Sequence, residues 1–322
     1  IMGFSLRKRW SVEAGIGPIS NRYYKMTESC LETDPLYDPV VGEYSSDHAG
    51  ECSLNNFFIG TGLKLNKNFS AGVNMTILFG QLKRTNQFNF IDVADYYNVY
   101  NNNTTERLQL GGVNFDYGLQ YTLPLKNKNF INTGVSLTSG KYYNSNYEHF
   151  IFRYTAYSTR DTVSYVAEKS KSAFIPGTLR FGISFGKINK FTAGLDFITT
   201  KWSKSKIPGS SGYAADTKSF LFGLEYIPDK YSNYSFLQRM EYRLGGHVED
   251  NYLIINGEQI KEAGASFGIG IPMRRTFSKT NLFFDFTRKS GSALNNLHIE
   301  NYYTVGISLN LYDFWFIKRK YD

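Results

Sequence analysis

Cysteine, proline and long apolar runs are all scarce in this sequence of 322 residues. It contains two cysteines and eight prolines, and its mean hydropathy is −0.35. No stretch approaches the ~18 uninterrupted apolar residues that a membrane-spanning helix needs. If the chain crosses a membrane, it therefore does so as strands, because only helices and closed barrels satisfy their backbone polar groups in lipid.

Catalytic and nucleic-acid-binding patterns are also missing. The four histidines are widely separated and none has metal-ligand spacing, and no nucleophile motif lies near them. The net charge of +8 includes Arg7-Lys8-Arg9 and Lys318-Arg319-Lys320, but these runs lie at strand ends with no binding motif. We therefore expect no enzyme, no cofactor, no metal site and no nucleic-acid partner. The histidines are His48, His149, His247 and His298.

Aromatic residues, by contrast, make up 17% of the chain, and apolar residues recur at every second position. The clearest case is the last strand, where an unbroken apolar face alternates with small or polar residues and is followed by aromatic residues and a basic tail. This pattern is typical of the closing strand of an outer-membrane barrel, although an edge strand of a soluble sheet would look similar. The apolar face consists of Tyr303, Val305, Ile307, Leu309 and Leu311.

The same alternation recurs along the chain and predicts twelve antiparallel strands. Its other face carries glycine and small polar residues, as in Val113–Leu123, and prolines follow several strands. We therefore predict an all-β fold, a single antiparallel transmembrane β-barrel spanning residues 1–322. The predicted strands are Trp10–Gly17, Phe57–Leu65, Phe69–Gly80, Val113–Leu123, Ile131–Thr138, Thr178–Gly186, Phe191–Phe197, Ser219–Tyr226, Phe236–Leu244, Ala263–Ile271, Leu282–Thr287 and Tyr303–Leu311.

Short turns and long polar loops alternate strictly between these strands. Bacterial barrels have short periplasmic turns and long extracellular loops. The sequence therefore predicts the outer membrane of a Gram-negative bacterium, with the short turns and the C-terminus in the periplasm. The predicted short turns are 66–68, 126–129, 188–190, 229–235 and 273–280, and the predicted long loops are 21–56, 84–107, 140–172, 201–216, 246–260 and 288–300.

The direction of the strands bears on the strand count. If the last strand ends in the periplasm, the strand at Trp10 rises from a periplasmic turn, and Ile1–Ser5 ends a descending strand. Because bacterial barrels have even strand numbers, the complete protein would have fourteen strands, with the first ones preceding this chain. A barrel closed by the twelve predicted strands is the alternative.

Charged residues are predicted on the inward face, because on the lipid face Arg or Lys would cost roughly 2–4 kcal/mol at the membrane midplane. They are either a structural ladder of cross-strand pairs or the lining of a polar conduit that contacts a plug. Arg239, Glu241 and Arg243 form the densest cluster. The predicted lumen-facing charges are Glu13, Lys64, Asp116, Arg180, Asp196, Glu225, Arg239, Glu241, Arg243 and Asp285.

Two further features have structural interpretations. Cys30 and Cys52 flank the first long polar segment, and an even cysteine count in an exported loop favours a disulfide over two free thiols. Pro176 and Gly177 lie near the top of a descending strand, where proline marks a strand start or a bulge.

The order of these elements resembles the long-chain fatty-acid transporter (FadL-like, or OMPP1-type) family of outer-membrane proteins. The resemblance covers most of the chain and lies in KRWSVEAGIGPIS (Lys8–Ser20), Ser53–Gly80, Ile175–Phe197 and Glu300–Lys320. It implies a fourteen-stranded barrel that is plugged by an N-terminal hatch and opens sideways into the membrane, with Pro176-Gly177 as a kink that could open a lateral gate. The hatch and the first strands are not found before Ile1.

This resemblance implies a channel for small hydrophobic, fatty-acid-like molecules, with membrane lipid and hydrophobic small molecules as partners. The alternative is a barrel that does not transport and serves as a subunit of a larger outer-membrane complex for secretion, barrel assembly or lipoprotein export. Its partners would be other outer-membrane proteins or surface lipoproteins. An apolar pocket inside the top of the barrel would favour transport, and stable co-purification of other proteins would favour the alternative.

Overall fold

The fold is one antiparallel 15-stranded sheet. The computed structural model describes residues 1–91, 99–155, 160–210, 214–273, 278–291 and 299–312. Outside these ranges lie His298, the aromatic residues Phe314–Phe316 that follow the last strand, and the basic tail after them. The strands are Met2–Arg7 (β1), Trp10–Cys30 (β2), Tyr44–Lys64 (β3), Phe69–Phe90 (β4), Asn101–Pro124 (β5), Asn129–Thr138 (β6), Lys141–Tyr154 (β7), Arg160–Ile175 (β8), Thr178–Lys187 (β9), Phe191–Thr200 (β10), Thr217–Tyr226 (β11), Glu241–Ile255 (β12), Glu258–Pro272 (β13), Lys279–Ser290 (β14) and Glu300–Asn310 (β15).

The period-two alternation determines which side of the sheet each residue occupies. On β5, Tyr117 and Leu119 are 49% and 56% exposed on one face, while Asn114 is buried on the other. On β15, Val305 and Ile307 are 77% and 71% exposed. A sheet that exposes this much apolar surface on one side requires lipid around it. The predicted all-β antiparallel fold is therefore confirmed.

The order of the strands follows the chain, with two places where consecutive strands share one position. β6 pairs with the C-terminal half of β5, nearer the short turns, and β7 pairs with its N-terminal half, so β6 and β7 occupy one position end to end. β8 and β9 occupy the next position in the same way, β8 beside β7 and β9 beside β6. The path from β1 to β15 therefore has thirteen positions, and its two end strands run in the same direction. The predicted count of twelve strands, and a barrel closed by them, are therefore wrong, because β1, β7 and β8 are not among those twelve. One more strand between the two ends would complete an antiparallel closure, so the count of fourteen stays a prediction.

Four of the predicted long loops are wrong, because the strands continue through them. β2 and β3 pair without a gap in the ladder from Ser20 and Leu54 up to Cys30 and Tyr44, and β4 with β5, β7 with β8 and β12 with β13 extend similarly. These extensions occupy most of 21–56, 84–107, 140–172 and 246–260. Their backbone groups are paired in the ladder, but outside the lipid neither face of a strand needs to be apolar, so the alternation is absent from the sequence. The turn between β12 and β13 is only Asn256-Gly257, both with positive φ (51° and 83°), as tight hairpins require.

The predicted strand Phe236–Leu244 is also partly wrong. Phe236–Arg239 forms a short helix, and β12 begins at Glu241. The reason is that β11 ends at Tyr226, which pairs with Tyr242, so the residues before Glu241 have no partner strand. Among the described residues, no helix has the length and apolar character needed to cross a membrane.

Substitution of an outward residue is expected to cost more than substitution of its inward neighbour. Leu119→Arg places a charge on the exposed apolar face and should lower the free energy of unfolding in a lipid bilayer by about 2–4 kcal/mol. Gln120→Arg, the matched control, places the same charge on the inward face beside Ser70 and Gly134. Urea unfolding in lipid vesicles measures both, and equal costs would contradict this assignment of faces.

Candidate functional site

The register places all the predicted inward charges except Arg239 on the face opposite the exposed apolar residues. Glu13 on β2, for example, pairs with Gly60, and Asp116 on β5 pairs with Asn74 in the same row. Arg239 was predicted to belong to this face, but it lies in the short helix, where its Nη1 donates to the Ser232 carbonyl at 2.7 Å. The lumen is therefore the candidate site, and the arrangement of its lining determines what it can hold.

A network of ion pairs lies on β11 to β14 at the lower end of the lumen. Arg243 donates from Nε to Glu225 Oε2 at 2.8 Å, from Nη1 to Asn281 Oδ1 at 2.8 Å, and also to Glu241. Lys279 Nζ reaches Glu241 Oε2 at 2.9 Å. Every charge in the network has an opposite partner, so these four charged residues leave little charge free for a ligand. Sequence reasoning missed Lys279 and Asn281, although the β14 alternation that includes Asp285 would have found both.

A second inward cluster joins β4, β5, β6 and β9. Asp116 accepts from the Thr76 hydroxyl at 3.1 Å and from the Thr138 hydroxyl at 2.5 Å, and Arg180 Nη1 lies 3.2 Å from the same Thr138 oxygen. Asp116 and Arg180 are therefore linked through a threonine and are not directly paired. Asp196 lies opposite Gly182, where a Cβ would meet its carboxylate oxygen at 2.3 Å, so the glycine makes room for the acid.

Next to this cluster the lumen contains a cavity of about 970 Å³. Arg180 and Asp196 contribute charges to its wall, and the Arg7-Lys8-Arg9 turn lies at its rim. Most of the remaining inward side chains are glycine, serine or amides, which leave the centre open and polar. These small inward residues are Ser11, Gly62, Ser70, Gly72, Gly118, Gln120, Asn132, Gly134, Ser136, Gly182, Ser184 and Gly194.

The upper lumen is different, because it contains a small apolar core. Leu108, Leu110 and Ala173 are at most 6% exposed and pack together. Partly buried apolar residues from β3, β4, β7 and the β10–β11 loop surround them: Leu54, Leu82, Tyr147 and Ile207. These residues lie on the inward face, where the sequence predicted small or polar side chains.

A pocket of about 340 Å³ opens beside this core. Leu82, Leu108 and Ile207 give it an apolar wall, and Arg22 and Arg84 are among the charged residues at its rim. Arg84 is held by Glu106 at 2.5 Å, whereas Arg22 has no hydrogen bond or ion pair within the described ranges. The volume lies in the range of ordinary small-molecule sites. The pocket therefore suits a molecule with an apolar body.

The loop between β10 and β11 forms one side of this pocket by folding into the barrel. Lys206 exchanges two backbone hydrogen bonds with Phe174 of β8, at 2.8 and 3.0 Å. Gly209 has a φ of +74°, and a Cβ there would lie 2.5 Å from the Tyr147 ring. At the loop base, hydrogen bonds with Ser203 hold the pKa of Asp216 below its usual value. That contribution to loop stability is present above the unfolded pKa near 3.8 and is lost as the pH falls below it.

The barrel wall is interrupted next to the apolar core. β5 stays paired with β4 throughout, but on its other side it has no strand partner between Gly111, which pairs with β7, and Asp116, which pairs with β6. One backbone hydrogen bond crosses this gap, from the Ser139 nitrogen to the Phe115 carbonyl at 3.3 Å. Side chains bridge part of the gap, since Asn114 Nδ2 donates to the Ser139 carbonyl at 3.0 Å and Lys141 Nζ donates to the Val113 carbonyl at 2.7 Å.

Pro176-Gly177 lies in the same interruption, between β8 and β9. A Cβ on Gly177 would lie 2.5 Å from the Thr138 carbonyl oxygen and 2.7 Å from the Gly140 nitrogen, so the two chains approach more closely than a side chain would allow. The break between β6 and β7 and the break between β8 and β9 therefore lie side by side in the barrel wall.

The predicted disulfide is wrong, because Cys30 and Cys52 are both free. Cys30 pairs with Tyr44 at the top of the β2–β3 ladder, whereas Cys52 pairs with Arg22, eight residues lower. At about 3.4 Å per residue this separates them by roughly 27 Å, while a disulfide needs Cα atoms within about 7 Å. The segment between them needs no covalent brace because the ladder itself holds it. Among the described residues, no group of three or more His, Cys, Asp or Glu could hold a metal ion.

An antiparallel sheet with an exposed apolar outer face and a polar inner face defines an outer-membrane β-barrel, and solved structures share this fold. The CymD monoaromatic hydrocarbon channel has a TM-score of 0.56 and 11% identity, covering 94% of this chain and 88% of its own. The Ralstonia pickettii toluene transporter TbuX has 0.56 and 12%, covering 95% and 79%. A Pseudomonas aeruginosa FadL homologue has 0.50 and 11%, covering 93% and 76%. The FadL-like barrel fold is confirmed, and identities this low support only the fold.

The whole chain, residues 1–322, matches the family model described as BamG. The chain therefore belongs to the BamG family. A search of curated proteins found no match.

Both thiols are expected to be titratable in the oxidised, purified protein. A maleimide reagent added under denaturing but non-reducing conditions should label Cys30 and Cys52, as read by the mass of the intact chain. The variants Cys30→Ser and Cys52→Ser serve as controls, each reducing the label by one. An intact chain that takes up no label until a reductant is added would contradict the geometry.

Removing the central arginine of the lower network should destabilise the barrel. Arg243→Met leaves the carboxylates of Glu225 and Glu241 without their shared partner, which should lower the free energy of unfolding by about 1–3 kcal/mol. Lys64→Met is the control, since Lys64 is an exposed inward cation without an ion pair among the described residues. Urea unfolding in lipid vesicles tests this, and an equal effect of the two substitutions would argue against the network.

Proposed function

We propose that the barrel admits small hydrophobic molecules into its upper lumen, as a channel of the FadL-like type. The observation that carries the proposal is the apolar core of Leu108, Leu110 and Ala173 with the 340 Å³ pocket beside it. An inward apolar cluster has no role in a purely polar conduit, and burial there would favour an apolar ligand by about 25 cal/mol per Å² of surface removed from water. The printed names of two fold relatives, a monoaromatic hydrocarbon channel and a toluene transporter, are consistent with this class of ligand.

The finer proposal is a ligand with an anionic head, such as a fatty acid. Arg22 at the pocket rim is a cation without an ionic partner in the described part of the chain, and it could face a carboxylate while the chain of the ligand lies along Leu82 and Leu108. Glu51 and Glu106 also line the pocket, and their negative charges would repel a second negative group on the ligand. A monoanionic amphiphile therefore fits better than a dianion.

The experiment that tests this function is equilibrium binding of a fluorescent fatty acid to the purified protein, with toluene and an unlabelled fatty acid as competitors. Ile207→Asp should weaken binding about tenfold or more, because it places a charge on the apolar wall without altering a barrel strand. Leu237→Asp is the matched control, on an exposed residue of the short helix. Competition by the fatty acid but not by toluene would favour the anionic-head ligand, and absence of saturable binding would reject transport.

The second candidate is a barrel subunit of a larger outer-membrane complex, and two observations favour it. The family label BamG differs from that of the hydrophobic transporters and hints at this role. The tip of the β2–β3 hairpin carries six carboxylates and no cation between residues 27 and 47, and it exposes Leu36 and Val40 at 83% and 93%. An acidic surface with exposed apolar residues suits a protein partner with a basic, partly apolar face.

Purification from native membranes in mild detergent separates the two candidates. Stoichiometric partner proteins that are lost from Leu36→Asn/Val40→Asn, with no bound apolar ligand in the extract, would support the subunit. A lone barrel that carries an apolar molecule would support the channel and remove the case for the subunit.

A further inference from the structure

The end of the barrel that carries the short turns is strongly basic. The turns after β1, β3, β5, β9 and β11 contain nine exposed cations, and Asp229 is the only carboxylate in the described parts of these turns. This excess matches the net charge of the entire chain, +8, so the remainder of the chain is balanced. We call these cations the basic collar: Arg7, Lys8, Arg9, Lys67, Lys126, Lys128, Lys187, Lys190 and Lys230.

The collar cations have few charge-neutralising contacts within the described part of the protein. Lys190 Nζ donates to the Pro228 carbonyl at 2.5 Å, and Lys230 Nζ donates to the Asn189 side-chain oxygen at 3.0 Å, both neutral acceptors. Within the described ranges, none of the collar cations is in an ion pair. Such a density of like charge is unfavourable without counter-charges, which points to an anionic partner outside the chain.

Each of four collar turns also exposes an aliphatic residue next to its cations. Leu6, Leu65, Leu125 and Ile188 are 52%, 54%, 41% and 54% exposed. An apolar side chain flanked by lysines at the end of an apolar strand face is suited to the boundary between acyl chains and headgroups. A protein partner would not explain why the same combination recurs in turns spread along the sheet from β1 to β10.

We propose that the basic collar binds the phosphate groups of anionic phospholipids in the leaflet that surrounds the short-turn end. The aliphatic residues of the turns enter the acyl region, while the cations meet the phosphates at the membrane surface on the short-turn side. The lipids would form an annulus that follows the turns, and they would fix the depth of the barrel in the membrane. The proposal rests on the barrel fold and does not depend on whether the lumen transports a ligand.

The test is spin-label electron paramagnetic resonance of the protein in bilayers of phosphatidylcholine. Spin-labelled phosphatidylglycerol should associate with the protein at least about twofold more strongly than spin-labelled phosphatidylcholine. The preference should vanish in 1 M salt, where the screening length falls to about 3 Å. A preference that is absent at low salt would overturn the proposal and favour an acidic protein as the collar's partner.

The variant Lys67→Gln/Lys126→Gln/Lys187→Gln should lose most of the preference. The matched control, Lys25→Gln/Lys83→Gln/Lys169→Gln, removes the same charge from the strand extensions at the opposite end and should retain it. Equal losses in the two variants would mean that net charge alone attracts the lipid, which would reject the collar. If the collar variant does not fold, the salt dependence of the unmodified protein still decides.

Discussion

Backbone hydrogen bonding in a medium without water is the constraint on which the rest of this structure depends. Within lipid, each peptide group must bond to a neighbouring strand, and this pairing forces side chains to alternate between lipid and lumen. The ladder therefore divides the residues into two sets before any side-chain contact forms. Residues on one side of the ladder, such as Leu119, face lipid and are therefore apolar. Residues on the other side, such as Asp116, face the lumen and make hydrogen bonds there.

The same constraint explains why the interruption of the wall is informative. Between Gly111 and Asp116, β5 keeps β4 on one side but lacks a partner strand on the other, and the Asn114 and Lys141 side chains bridge part of that gap. Side-chain hydrogen bonds can exchange with a ligand or water more easily than a continuous ladder can. The gap is thus the part of the described wall that is held least by backbone pairing, and it adjoins the apolar core at Leu110.

Sequence reasoning succeeded where a side chain had to choose between lipid and water. The alternation in β5 and β15 predicts their faces, because lipid exposure leaves a period-two pattern. The prediction of strands from alternation failed outside the lipid. There the β2–β3 extension is held by backbone pairing, and its sequence lacks an apolar face. The same failure produced the disulfide, since Cys30 and Cys52 appeared to flank a loop when they lie on a continuous hairpin.

The apolar core was missed for a different reason, because Leu82, Leu108 and Leu110 lie outside the predicted strands, at the two edges of the predicted loop 84–107. Cross-strand register brings Leu82 and Leu108 opposite each other, and that register depends on the long pairing that the sequence does not reveal. A single inward leucine in one strand is unremarkable, whereas inward leucines at the same height in neighbouring strands define a pocket. The pattern could have been found only after the strands were aligned.

The two levels of the lumen also bear on the direction in which a hydrophobic ligand would leave. Below the apolar core, the ligand would meet a cavity of glycine, serine and amide groups with Arg180 and Asp196 in its wall. Passing through it would require an apolar surface to return to a polar environment, which costs the free energy gained on entering the pocket. The gap beside Asn114 and Ser139 lies in the barrel wall next to the core, and a ligand that left through it would enter lipid, where that cost would not arise. For a hydrophobic ligand, the arrangement therefore favours a sideways exit into lipid over descent through the barrel.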